Sequence, residues 1–154
     1  MDQERQDRSK VLLIDDDTSL LLMLSDFLKF EGYDVVTAVD GAAALDAVYR
    51  DEPDAVVLDV MMPRLDGFEV CRRLKQDART RDIPIIFVSA VTETDDKMRG
   101  FEAGGIDFIP KPFDEREVLA RVNTHTLLRR MQRGLETLVE DRTRELLRSE
   151  QLFR

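Results

Sequence analysis

Residues 11–18 read VLLIDDDT, four apolar residues followed by three consecutive aspartates and a threonine. The apolar half is typical of a buried β-strand. Adjacent carboxylates repel one another, and they are costly near a core unless a cation or a hydrogen-bond donor compensates them. The stretch therefore predicts a strand that ends at a polar site, with the compensating positive charge supplied from elsewhere.

Short apolar runs like this one recur along the chain and alternate with amphipathic helical patterns. Several runs are β-branched and nearly continuous, as expected for strands that are covered on both faces. The alternation predicts an α/β fold, (βα)5, with a doubly wound parallel sheet in the flavodoxin-like order 2-1-3-4-5. Neither GxGxxG nor GxxxxGK[ST] occurs, which argues against a nucleotide phosphate loop. The predicted strands cover residues 11–14, 34–37, 55–59, 83–90 and 106–109.

Helix starts are marked by residues that favour the N-cap position. Asp17, Asp40 and Asp66 each precede a helical pattern, and TETD at 92–95 resembles a further start. The fourth helix is expected to end at Gly104–Gly105.

Composition narrows the class of protein. The 154 residues are 43% hydrophobic and 36% charged, which fits one domain with a real core and a charged surface. The net charge of −9 argues against direct nucleic-acid binding. The single cysteine excludes an internal disulfide, and neither a signal peptide nor a membrane-spanning run is present, so we expect a cytoplasmic protein.

Polar residues stand at the carboxyl ends of four predicted strands. They are Asp15 and Asp16, Asp59, Ser89 and Lys111. Because parallel strands bring these ends to one edge of the sheet, we expect a shallow shared pocket. Carboxylates at this density suit Mg²⁺, with Mn²⁺ as an alternative, and lysine suits a phosphate group.

These stretches together resemble the receiver domain of two-component response regulators. The resemblance covers about residues 10–123, and no single motif would suffice for it. It rests on VLLIDDD (11–17), VVLDVMMPRLDGFEV (56–70), IIFVSA (85–90) and GGIDFIPKPF (104–113).

The resemblance implies a phosphoryl-accepting signalling switch in a phosphorelay, with no enzymatic activity beyond self-phosphorylation and self-dephosphorylation. Asp59 would accept the phosphoryl group from a partner histidine kinase or phosphotransfer protein. Asp15 and Asp16, with Asp59 and the backbone carbonyl of Met61, would hold the divalent ion. Lys111 would pair with Asp59 at rest and with the phosphoryl oxygens afterwards.

The same resemblance implies how the domain would respond to phosphorylation. Ser89 would turn its hydroxyl towards the new phosphoryl group, and Phe108 would change rotamer, although an aromatic residue in a strand is more often a core residue. The surface formed by helix 4, strand 5 and helix 5 would repack. The Lys111–Pro112 bond is expected to be cis.

The residue at position 61 bears on the lifetime of the phosphorylated state and on the choice between a switch and an enzyme. Met61 and Val91 are apolar and would line the approach to the phosphoryl group, so we expect a long-lived phosphorylated state. The alternative function is a Mg²⁺-dependent phosphohydrolase with an aspartyl-phosphate intermediate. Such an enzyme would need an aspartate as general acid two residues after the nucleophile, and this position is occupied by Met61. A purely structural dimerisation module would leave the acidic cluster without a purpose.

The remainder of the chain predicts two flanking segments. Residues 1–9 are expected to be a disordered tail, and residues 124–154 a helical linker towards a covalently attached output domain. The linker carries an apolar heptad seam with one four-residue stutter, which favours a parallel homodimeric coiled coil over a monomeric helix. Gly134 is either a hinge or neutral. The seam consists of Leu128, Met131, Leu135, Leu138, Arg142, Leu146, Ser149 and Phe153.

Overall fold

The structure is a computed structural model that describes residues 8–90 and 94–152. Five strands alternate with five helices along the chain. The strands are β1 Lys10–Ile14, β2 Asp34–Ala38, β3 Ala55–Asp59, β4 Ile85–Ser89 and β5 Asp107–Pro110. The helices are α1 Thr18–Phe30, α2 Gly41–Asp51, α3 Gly67–Gln76, α4 Thr94–Glu102 and α5 Glu115–Leu152.

The strands form one parallel sheet in the order β2-β1-β3-β4-β5, which confirms the predicted fold. β1 and β3 are neighbours, with Ile14 opposite Leu58, so the residues that follow them lie side by side. β3 in turn pairs with β4, with Asp59 opposite Val88. This register brings the polar strand ends to one edge of the sheet.

Helices cover both faces of the sheet. Alternate residues of each strand point to opposite faces, and they pack into two different hydrophobic clusters. Leu12 and Ile14 of β1 pack with α2 and α3. Val11 and Leu13 pack on the other face, with α1 and α5. All residues of β3 and β4 are buried, which explains why their sequences are apolar without alternation.

The predicted aspartate caps are confirmed for three helices. The carboxylates of Asp17, Asp40 and Asp66 accept hydrogen bonds from backbone N–H groups three residues ahead, at 3.2, 2.8 and 2.9 Å. For the fourth helix, Thr92 lies outside the described residues. That helix ends at Glu102, and Gly104 follows it with a φ of +108°, a conformation that favours glycine.

The N-terminal boundary differs from the sequence-based expectation. Ser9, which we placed in the disordered tail, is buried, and its carbonyl accepts a hydrogen bond from the Asp34 N–H at 3.0 Å. This bond extends the pairing of β1 with β2 by one residue, so the ordered domain includes residue 9. Residues 1–7 lie outside the described part of the chain.

α5 runs without interruption past residue 123, as predicted for a fifth helix that continues into the linker. Thr126 is buried, and Arg133 Nη1 lies 3.5 Å from Asp54 Oδ1 in the α2–β3 connection. The domain therefore contacts α5 as far as Arg133. Of the described helices, none combines the length and the apolar character needed to cross a membrane.

Candidate functional site: an acidic cluster at the carboxyl edge of the sheet

Three carboxylates converge where β1 and β3 end. Asp15 and Asp16 follow β1, and Asp59 is the last residue of β3. One oxygen from each lies within 4.8 Å of the others. Asp15 and Asp59 are buried, whereas Asp16 is exposed. The sequence placed these residues together, and the structure brings them together.

The compensating cation comes from the residue after β5. Lys111 Nζ donates a hydrogen bond to Asp15 Oδ2 at 2.8 Å and lies 3.6 Å from Asp59 Oδ1. The sequence-based pairing with Asp59 is therefore the longer of two contacts. The ammonium lies between two carboxylates, and that of Asp15, at the end of β1, is the nearer. The Lys111–Pro112 bond is cis, as predicted.

Backbone groups fix the two buried carboxylates. The N–H of Asp17 donates to Asp15 Oδ1 at 2.9 Å, and the N–H of Met61 donates to Asp59 Oδ1 at 3.3 Å. Both donors lie two residues after their carboxylate, in the loops that leave the sheet. The carboxylates are consequently oriented by local chain geometry before any ligand contributes.

Gly67 is a residue of this site that our sequence analysis did not single out. A Cβ there would lie 2.4 Å from the carbonyl oxygen of Asp59 and 2.9 Å from the Cα of Val60. The start of α3 thus packs directly against the end of β3, and only glycine fits. The DG pair at 66–67, directly after a Pro-containing loop, is the sequence signal for such a close approach.

The electrostatics of the cluster set Asp59 apart. Burial, and secondly the charge of Asp15, raise the pKa of Asp59 to about 7, against the lowering effects of Lys111 and the Met61 N–H. Burial also opposes the charge on Lys111. Its hydrogen bond to Asp15 and the charges of Asp59 and Asp15 outweigh that effect and raise its pKa. The site therefore holds more negative charge than one ammonium can neutralise.

Ser89 and Phe108 lie on the two neighbouring strands. Ser89 is fully buried at the end of β4, and its carbonyl accepts a hydrogen bond from the Lys111 N–H at 2.7 Å. Phe108 is partly buried in β5, with its ring centroid 6.4 Å from that of Phe87. Phe87 in turn contacts Phe68 edge-on at 5.3 Å. Ser89 is thus joined to the site through the backbone of Lys111, and Phe108 to the core.

The donor set fits a small divalent cation. Carboxylate oxygens are the ligands that Mg²⁺ prefers, and one or two carboxylates with waters and a phosphate usually complete its octahedron. Asp16 is exposed enough for a bound ion to keep its waters, while Asp15 and Asp59 supply buried charge. The cluster could therefore hold Mg²⁺ or Mn²⁺, whose charge would oppose the effects of burial and of Asp15 that raise the pKa of Asp59.

Comparison with known proteins identifies the family. Residues 11–123 match the family model described as response regulator receiver domain. The chain belongs to this family. The match covers the acidic cluster and all five strands except Lys10, the first residue of β1, and it confirms the resemblance seen in the sequence.

Individual relatives agree with this assignment. The chain is 44% identical over 124 residues to the DNA-binding dual master transcriptional regulator RpaA of Synechocystis, and 47% identical over 121 residues to the response regulator MprA of Mycobacterium leprae. These alignments cover 80% and 79% of this chain and 51% of each relative. The chain thus spans about half the length of the curated relatives it matches.

A solved structure shows the same architecture. The receiver domain of the Francisella response regulator 1452 superposes with a TM-score of 0.72 at 33% identity, covering 77% of this chain and 97% of that one. Receiver domains are signalling modules of two-component systems and generally bind Mg²⁺. The family therefore supports a phosphoryl-accepting switch and does not favour a phosphohydrolase.

Proposed function

We propose that Asp59 accepts a phosphoryl group from a phosphohistidine of a partner histidine kinase or phosphotransfer protein. The observation that carries this proposal is the convergence of Asp59 with Asp15, Asp16 and Lys111 at the edge of the sheet. Within this cluster Asp59 is buried at the end of β3, the central strand, and its Oδ1 lies 3.6 Å from the Lys111 ammonium. Asp15 already accepts two hydrogen bonds.

The transfer would combine groups of the cluster with the phosphohistidine of the donor and a divalent ion. A carboxylate oxygen of Asp59 attacks phosphorus, the bond between phosphorus and the donor histidine nitrogen breaks, and the nitrogen keeps the electron pair. Lys111, whose Nζ lies 3.6 Å from Asp59 Oδ1, would neutralise charge on the phosphoryl oxygens. A divalent ion held by Asp15, Asp16, Asp59 and the carbonyl of Met61 would supply further charge neutralisation when bound.

The protonation state of Asp59 makes cation binding part of this function. A carboxyl whose pKa is about 7 is partly protonated near neutral pH, and the protonated form is a poor nucleophile. Cation binding favours the ionised form because it replaces a proton with a stronger positive charge. We therefore expect acceptance of the phosphoryl group to require the cation most strongly below pH 7.

The proposed response uses Ser89 and Phe108. The hydroxyl of Ser89 would move to a phosphoryl oxygen on Asp59, and Phe108 would repack against its aromatic neighbours in the core. Because β5 and α5 follow one another, such a change would reach the surface formed by α4, β5 and α5. The proposed receiver spans residues 10–123, with Ser9 added by its contacts, and residues 124–154 link it to an output domain.

We also propose that α5 from Leu128 onwards, the part that carries the apolar seam, pairs in parallel with the same segment of a second copy of the chain. The apolar seam residues Leu128, Met131, Leu135, Leu138 and Leu146 are between 55% and 68% exposed. A row of large apolar side chains along one helix is costly in water and is typical of a helix that packs on a partner. Arg142 and Ser149 interrupt the seam, and Phe153 lies outside the described residues.

A substitution in the seam tests this pairing. We expect Leu135→Glu to raise the dimer dissociation constant at least tenfold, because it places two like charges in an apolar contact. Thr137→Glu adds the same charge away from the seam and should leave dimerisation unchanged. Sedimentation velocity measures both. A wild-type chain that stays monomeric, or equal effects of the two substitutions, would contradict a seam-mediated dimer.

The side chain at position 61 is expected to control the lifetime of phospho-Asp59. Met61 is 59% exposed at the rim of the site and cannot orient a water, whereas asparagine can. We expect Met61→Asn to speed hydrolysis by roughly two- to tenfold through better positioning of the attacking water. Val91, the other residue of this hypothesis, lies outside the described part of the chain. Decay of the phosphorylated mass in Mg²⁺ measures the rate, and faster decay in wild type than in the variant would contradict the idea.

Incubation with acetyl phosphate and Mg²⁺ separates the switch from a phosphohydrolase. A switch should gain one phosphoryl group per chain, as measured by intact mass. When EDTA is added before acetyl phosphate, the adduct should not form. A phosphohydrolase should release inorganic phosphate from phosphomonoesters over many turnovers without accumulating an adduct. Sustained turnover of this kind would refute the proposed function.

A further inference from the structure

An arginine-lined cavity lies at the end of the domain opposite to Asp59. It has a volume of about 180 Å³ and is enclosed by the end of α2, the α3–β4 connection and α5. Three of its lining residues are arginines: Arg79 of the α3–β4 connection, and Arg129 and Arg133, one turn apart on α5. Glu52 is the one carboxylate among its lining residues.

Arg129 is the least compensated of the three. Its Nη1 donates to the carbonyl oxygen of Asp82, but its Nε is buried and has no hydrogen-bond partner among the described residues. A buried donor without a partner is destabilising, and native structures rarely leave one unpaired. Burial and the neighbouring charge of Arg133 lower the pKa of Arg129, which shows that the protein compensates this cation incompletely.

The other two arginines retain donors for a ligand. The Arg79 guanidinium lies 5.3 Å from the ring centroid of Tyr49 and forms no ion pair among the described residues. Among the described residues the guanidinium of Arg133 forms one ion pair, Nη1 to Asp54 Oδ1 at 3.5 Å. A guanidinium has five N–H donors in a planar fork, so each of these side chains can still bind an oxyanion.

We propose that this cavity binds a small molecule through a phosphate or pyrophosphate group. Three guanidinium groups match the charge and the several acceptor oxygens of such a group, and arginine binds it in bidentate geometry. The volume is several times the roughly 30 Å³ that a water molecule occupies in the liquid, which suits a phosphate-sized group better than a peptide segment.

Binding here would fix α5 where it leaves the domain. The ligand would join the α2 end and the α3–β4 connection to Arg129 and Arg133, and Gly134 follows directly, with open space around it. The site would thus offer a second input to the projecting helix, separate from Asp59. It does not depend on the phosphorylation proposed above.

Titration with sodium pyrophosphate tests the proposal. The full chain is titrated in EDTA at constant ionic strength, and backbone amide shifts are followed by NMR. We expect saturable shifts at Glu52, Thr80 and Ile83. Arg79→Gln and Arg129→Gln should each weaken binding by about ten- to hundredfold, since each removes a charge-assisted contact. Because Arg79 is exposed, its variant should fold even if that of Arg129 does not.

Arg73→Gln is the matched control, because Arg73 is an exposed arginine on α3 that does not line the cavity. The control should bind pyrophosphate like wild type. Shifts that do not saturate, shifts reproduced by NaCl, or equal weakening by Arg73→Gln would overturn the proposal. Binding of a glutamate-rich peptide in place of pyrophosphate would also overturn it. The Asp59→Asn variant should bind pyrophosphate normally, which keeps this test separate from that of phosphorylation.

Discussion

Asp59→Asn should stabilise the protein in EDTA at pH 8, by about 1–3 kcal/mol relative to wild type. The reason is that the ionised carboxylate of Asp59 is buried beside Asp15 and is only partly compensated by Lys111. Asparagine has nearly the same shape and no charge. Urea unfolding of the two proteins measures the difference in free energy of unfolding.

The pH dependence of this difference follows from the direction of the shift. The pKa of Asp59 is raised from 3.8 to about 7 by folding, so between these values the folded state holds a proton that the unfolded state has lost. The contribution of Asp59 to the free energy of unfolding of wild type therefore falls as pH rises from about 4 to 7, and it levels off above pH 7. The advantage of Asp59→Asn should be small near pH 4 and largest above pH 7.

Mg²⁺ provides the control for this experiment. A cation that binds the folded state stabilises it by RT ln(1 + [L]/Kd), where [L] is its free concentration, and this effect should be larger in wild type than in Asp59→Asn. Equal stability of the two proteins at pH 8 in EDTA would contradict the electrostatic account of the site. So would an advantage of the variant that is independent of pH.

Lys111→Met should destabilise the metal-free protein at pH 8 by about 3–5 kcal/mol, the range expected when one partner of a buried ion pair is removed. Lys111 Nζ lies 2.8 Å from Asp15 and 3.6 Å from Asp59, so its removal leaves two buried carboxylates without a nearby cation. Methionine keeps most of the apolar stem, which limits the loss of packing. Urea unfolding in EDTA measures the effect.

A double-mutant cycle shows which carboxylate Lys111 compensates. Because Asp15 is the nearer partner, adding Asp15→Asn to Lys111→Met should restore most of the lost stability. Lys97→Met, which removes a lysine of α4 for which the structure records no ion pair among the described residues, should change stability by less than about 0.5 kcal/mol. A cycle with no coupling between Lys111 and Asp15 would contradict the geometry of the site.

The parts of the fold that local sequence determines were predicted well. Apolar runs mark strands because a sheet covered on both faces needs them, and Asp17, Asp40 and Asp66 mark helix starts because a cap acts within three residues. The edge of the sheet where Asp15, Asp59 and Lys111 meet follows from strand order alone. These features could be predicted because each depends on short spacing or on topology.

Other features depend on distances that no pattern along the chain encodes. Nothing in the sequence says that Lys111 lies nearer to Asp15 than to Asp59, since both follow neighbouring strands. The contacts of Arg129 and Arg133 join α5 to connections 47 and 79 residues earlier, at Asp82 and Asp54. A helix that continues smoothly past a domain carries no signal for where its last contact lies.

The central claim is that Asp59 is the phosphoryl acceptor, and the most direct test is the intact mass of wild type and variants after incubation with acetyl phosphate and Mg²⁺. Wild type and the control Asp66→Asn, which alters a helix cap near the site, should each gain one phosphoryl group. Asp59→Asn should gain none. A stoichiometric adduct on Asp59→Asn, or an unmodified wild type under these conditions, would contradict the account.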